Sequence, residues 1–336
     1  MNKLEGICLN IDDKTNDIDV LQNMNIEFQE YLDNVMKCIC DSEQQVDATK
    51  VHDVSAEEIY NILVSKEFNY QSKKNIAHLR NESIRIIAGY IEQNKPIKLY
   101  YSVGGGYKAT INPKYLSSIN YTLGLGELLI IYQVCRLEQR VKNIYSQGIE
   151  FNIIIDNGVA NYVNDISIEM TEKYVSLYQK LIDYLGKSNV IKLIVQTRDL
   201  NWLKELRSIQ IDKIDRISED EYNNIKRFCG RECDREEALE LQARYNAAMK
   251  FSVQLIRNHI GNSIWMLQHS NGNCLTFRPF PGGASRIQVG DVALKKEDTR
   301  VKPGLISTKN YDQYELETYI ISVEQFCTRF VNNTTA

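Results

Sequence analysis

The sequence holds little proline and glycine, 5 and 17 residues of 336, which excludes a collagen-like or proline-rich disordered chain. It has no low-complexity stretch and no internal repeat. No run reaches the roughly 18 apolar residues that a membrane span needs. The opening Met1-Asn2-Lys3-Leu4-Glu5 carries no apolar h-region, so neither a signal peptide nor a membrane partner is expected, and a cytoplasmic protein is. An excess of positive charge is also missing. With 40 basic and 44 acidic side chains the net charge is -4, too weak a positive field to hold a phosphate backbone, so nucleic acid is not an expected partner.

Several catalytic signatures are absent too. The chain contains no G-x-S-x-G nucleophile turn, no H-E-x-x-H zinc helix, no Walker spacing and no G-x-G-x-x-G fingerprint. Its eight cysteines include Cys229 and Cys233, with three residues between them, but no second pair at zinc-ribbon spacing accompanies them. In a chain of this length without a secretion signal they are expected to remain thiols.

What is present is ordinary globular composition, 43% hydrophobic and 25% charged, in a chain long enough for a sizeable core. Helical spacing runs through Leu21, Met24, Phe28, Leu32, Val35 and Met36. Ser55 and Glu58 then form a capping box ahead of Ile59, Ile62 and Leu63. Residues 1–70 are thus read as a helical N-terminal segment and 71–336 as an α/β catalytic domain. A helix is expected on Ile76, Leu79, Ile84, Ile87 and Ile91, and a strand from Pro96 to Tyr101 running into Gly104-Gly105-Gly106. A helix on Ile130 to Ile144, a strand Phe151 to Ile155, a helix on Tyr174, Leu177 and Leu181, and a strand Val190 to Val195 continue the alternation.

This alternation argues for parallel βαβ units. A long helix through Ala238 and Leu255 follows, stopping near Gly261. Ile264 to Gln268 and Cys274 to Phe280, flanking Asn271-Gly272, predict a β-hairpin. Further antiparallel strand is expected from Arg286 to Leu294, and a closing helix from Tyr314 to Val331. The expected fold is α/β: a mixed, mainly parallel Rossmann-like sheet flanked by helices, with a helical N-terminal layer and a C-terminal β-hairpin.

Candidate chemistry gathers at predicted strand ends. Gly105 and Gly106, with Lys108 close behind, fit a phosphate-cradling loop, because glycines let backbone N–H groups approach an anion; a structural turn fits them as well. Asp156 ends an apolar strand where α/β proteins place ligand-orienting carboxylates, and Asp156-Asn157-Gly158 equally suits an Asx turn. His269 ends a predicted strand and is either a proton-transfer group or a hairpin residue. Arg244 and Arg278 are suited to bidentate capture of carboxylate or phosphate, or to ordinary solvation. Arg278 stands out, lying between Phe277 and Pro279, where its charge would need an anion.

Taken in order, these pieces resemble the isocyanide (isonitrile) synthases of the pyoverdine and dityrosine biosynthesis family. The likeness spans roughly residues 70 to 295. It begins at Pro96-Ile97-Lys98-Leu99 and continues through Lys108, Asn112-Pro113 and Leu123-Gly124-Leu125-Gly126-Glu127. It goes on through the strand ending at Asp156, then Arg244-Tyr245-Asn246, and the strand ending at His269. Two features depart from the family pattern: no arginine follows Asp156-Asn157-Gly158, and a triple glycine replaces a proline-rich loop before the lysine.

The resemblance implies an enzyme in secondary metabolism that condenses an amino-acid amine with the ketone of ribulose 5-phosphate, one sugar carbon becoming the isocyanide. No metal or redox cofactor is implied. Lys108, Asp156 and His269 would be catalytic, and Gly105, Gly106, Asn112, Glu127, Arg244 and Arg278 would bind substrate. Lys108 would take phosphate, Arg244 the amino-acid carboxylate, and Asp156 and His269 protons. The glycine turn leaves an S-adenosylmethionine-dependent transferase as an alternative. The missing arginine leaves another, a noncatalytic small-molecule binding protein of a biosynthetic cluster.

Overall fold

The computed structural model describes residues 35–41, 54–69, 76–103, 123–155, 159–163, 167–195, 216–229, 233–260, 263–266, 275, 277, 291–295, 314–318 and 320–321. Among them, helix α1 covers 35–41, α2 Ala56–Leu63, α3 Arg80–Glu92, α4 Leu125–Lys142, α5 Ile168–Tyr184, α6 Glu219–Cys229 and α7 Arg235–Ile260. The strands are β1 Ile97–Val103, β2 Leu123–Gly124, β3 Ile149–Ile155, β4 Ile191–Val195, β5 Ile264–Trp265, β6 Asp291–Lys295, β7 Tyr314–Thr318 and β8 Ile320–Ile321.

Four strands form the main sheet in the order β4-β3-β1-β5, and every neighbouring pair is parallel. The chain steps outward from β1 to β3 and β4 and then returns to the other side of β1 as β5. That reversal makes a topological switch point, and α/β sheets place ligands outside the carboxyl ends of the strands at such a point. Register sets β1, β3 and β4 flush at that edge, with Val103 beside Ile155 and Ile155 beside Val195. The expected Rossmann-like, mainly parallel sheet flanked by helices is the observed one.

Strand sequence follows strand position. In β1 the alternation Ile97, Leu99, Tyr101 is fully buried, while Lys98, Tyr100 and Ser102 on the opposite face are half-buried. Central β3 reads Ile-Glu-Phe-Asn-Ile-Ile-Ile and is buried at every residue but Glu150, the near-continuous apolar run of a strand covered on both faces. Outer β4 returns to alternation, with Ile194 exposed. The buried β1 and β3 side chains join one core with residues of α1 to α5.

Local chemistry sets the helix ends. Ser55 and Glu58 make the expected capping box at α2: the Ser55 N–H donates to Glu58 Oε2 at 3.3 Å, and the Glu57 N–H donates to Ser55 Oγ at 3.2 Å. Gly186, with φ of 68°, ends α5 in the left-handed region that glycine enters without steric cost. Between α3 and β1, the Tyr145 hydroxyl donates to the Lys95 carbonyl at 2.8 Å and ties that corner to the end of α4.

The C-terminal third differs from expectation in two places. Met266 and Leu275 form a parallel bridge, whereas a tight turn at Asn271-Gly272 would join antiparallel strands; residues 267–274 lie outside the described ones. Phe277 instead pairs antiparallel with Asn69. The C-terminal antiparallel pairing joins β6, inside the region where more strand was expected, to β7. The closing helix expected from Tyr314 is strand at Tyr314–Thr318 and Ile320–Ile321. Tyr-Glu-Leu-Glu-Thr alternates with period two, and that local signal prevails over the looser helical spacing of the longer segment.

Candidate functional site

All four strands of the main sheet run to one edge, and the residues that follow them hold the sequence candidates. Gly105, Gly106, Lys108 and Asn112 follow β1, Asp156 directly follows β3, and His269 comes three residues after Met266. These six, together with Arg278, lie outside the described residues. Glu127 and Arg244 lie within them.

Glu127 is the third residue of α4, immediately after β2, where a negative side chain is favoured by the helix dipole. It is buried, and the Tyr174 hydroxyl donates to its Oε1 at 3.0 Å. The Tyr178 hydroxyl donates to the backbone carbonyl of the same residue at 3.4 Å. Desolvation, reinforced by the nearby Glu127 charge, pushes both phenols well above their usual range, so both remain donors at any working pH.

Thr171, Tyr174 and Tyr178 fall on one face of α5 at spacings of three and four, and all three are buried. Thr171 Oγ1 accepts from Asn161 Nδ2 at 3.1 Å and donates to the Ser167 carbonyl at 3.4 Å. Asn161 sits in a single turn of π-helix, Val159–Val163, that follows β3 by three residues; such turns are frequent at functional sites.

Arg244 projects from α7 and pairs with Glu240 one turn earlier. Its guanidinium lies 6.0 Å from the centre of the Tyr162 ring. Tyr162 belongs to a second apolar cluster, with Ile225, Cys233, Ala238, Leu241 and Ala248, distinct from the core beneath the sheet. Arg244 and Glu127 are therefore seated in different cores. A row of contacts runs between them: Arg244 to Tyr162, its neighbour Asn161 to Thr171, and one turn further Tyr174 to Glu127.

Cys233 is a buried thiol in the second cluster, and its carbonyl accepts from the Tyr222 hydroxyl at 2.8 Å. Among the described residues no group of three or more His, Cys, Asp or Glu side chains is arranged to hold a metal ion, and no helix is long and apolar enough to cross a membrane.

Sequence reasoning included Glu127 but missed its partners. Tyr174 entered only as an apolar position of α5, and Tyr178, Thr171 and Asn161 did not enter. The available signal was the spacing of Thr171, Tyr174 and Tyr178, which puts three hydroxyls on the inward face of one helix.

No family model and no curated protein sequence matches the chain. Among solved structures, the crystal structure of the PvcA protein from Pseudomonas aeruginosa is similar to it, with a TM-score of 0.45 and 15% identity over 66% of this chain and 82% of that one.

Proposed function

We propose that the chain is a biosynthetic enzyme that forms a carbon–nitrogen bond between an amino-acid amine and a pentulose phosphate, in the manner of the isocyanide synthases its motifs resemble. One observation carries the reading. β1, β3 and β5 are parallel neighbours, so the stretches holding Lys108, Asp156 and His269 all begin at one edge of the sheet, at its switch point.

The reaction needs a cation for the phosphate, a group to receive and return protons during imine formation and elimination, and an anchor for the amino acid. Lys108 supplies the first, Asp156 and His269 the second, and Arg244 the third, once the substrate carboxylate displaces Glu240. Gly105, Gly106, Asn112 and Arg278 complete the phosphate and substrate contacts.

The test is incubation with each common amino acid and ribulose 5-phosphate, with mass spectrometry for the isocyanide. Product with one amino acid is the expected result, and none with any overturns the activity. Calorimetry with ribulose 5-phosphate separates the steps: binding without turnover leaves a noncatalytic binding protein. Lys108→Met should weaken that binding roughly 10- to 150-fold, the worth of one charge-assisted contact, and leave the unfolding temperature nearly unchanged.

A further inference from the structure

We draw no further inference here: the strongest candidate, the polar patch where Lys98, Tyr100, Glu150 and Asn152 meet across β1 and β3 on the sheet face opposite the main core, is occupied by its own contacts, the Lys98–Glu150 pair at 3.3 Å and the Asn152 amide donating to Glu150 and to the Leu99 carbonyl, and nothing in the structure shows what would cover it.

Discussion

Gly148 sits between α4 and β3 with φ of 63°, and its carbonyl accepts the Ile97 N–H at 3.0 Å at the start of the β1–β3 ladder. A methyl group there would meet the Glu138 carboxylate, at 2.6 Å from Oε2 and 2.8 Å from Cδ. That carboxylate is not free to swing away. It is buried, accepts the Ile149 N–H at 2.6 Å, and pairs with Lys142 Nζ at 2.9 Å. Gly148→Ala therefore imposes two costs. The left-handed backbone costs a residue with a Cβ about 1–2 kcal/mol, and displacing the carboxylate from a buried N–H removes a charge-assisted hydrogen bond of about 1.5–3 kcal/mol. The sum, about 2.5–5 kcal/mol, is a large share of a domain's usual stability of about 5–15 kcal/mol.

Urea denaturation of Gly148→Ala in two backgrounds separates these costs. In the Glu138→Ala background the obstruction is gone, so only the backbone cost of about 1–2 kcal/mol should remain. The coupling energy should accordingly be about 1.5–3 kcal/mol. Equal costs in both backgrounds, within about 0.5 kcal/mol, would refute the obstruction. A substitution tolerated in the parent would refute the left-handed strain as well.

Glu138 also gives a pH dependence: burial raises its carboxyl above 4.5, more than the contacts with Lys142 and the Ile149 N–H lower it. A folded-state value above the unfolded one means that the native state holds the proton more tightly. The stability it contributes is full below the unfolded value and is lost as pH rises through the raised folded value. The stability of the parent relative to Glu138→Gln should therefore increase as pH is lowered from 7 toward 4.5. A flat difference in denaturation experiments across that range would contradict the assignment. Thr171→Val, which takes the acceptor from the buried Asn161 amide, should cost about 1–3 kcal/mol by the same measurement. A cost under about 0.5 kcal/mol would show that other contacts satisfy the amide.

Much of the fold was legible because each main-sheet strand states its position in its own residues. Ile97, Leu99 and Tyr101 alternate, the β3 run is apolar almost throughout, and the helices between carry inward faces at spacings of three and four. Neighbours in the sheet were not legible. That β5 lies beside β1 depends on a return across the sheet from β4, and no local pattern in Ile264-Trp265 encodes it. The same limit explains the hairpin. Asn271-Gly272 is a strong local turn signal, yet Met266 pairs in parallel with Leu275 and Phe277 pairs with Asn69, more than 200 residues earlier by the chain numbering.

The site was legible to a different degree, and tyrosine is the reason. At a helical spacing its ring counts as an apolar residue, so Tyr174 and Tyr178 read as core, and they are core: both are buried and their ring centroids are 6.0 Å apart. The hydroxyl that each carries has meaning only when an acceptor is known, and the acceptor lies 47 residues earlier for Tyr174 and 51 for Tyr178. Glu127 poses the converse problem. As the third residue of a helix it reads as an ordinary partner of the helix dipole, and only its burial under two phenols separates it from the exposed Glu219 and Glu236 in the first turns of α6 and α7. A carboxylate and two phenols, each unremarkable in its own helix, become one hydrogen-bonded group only through the packing of α4 against α5. A sequence pattern that scores each helix separately cannot express that packing.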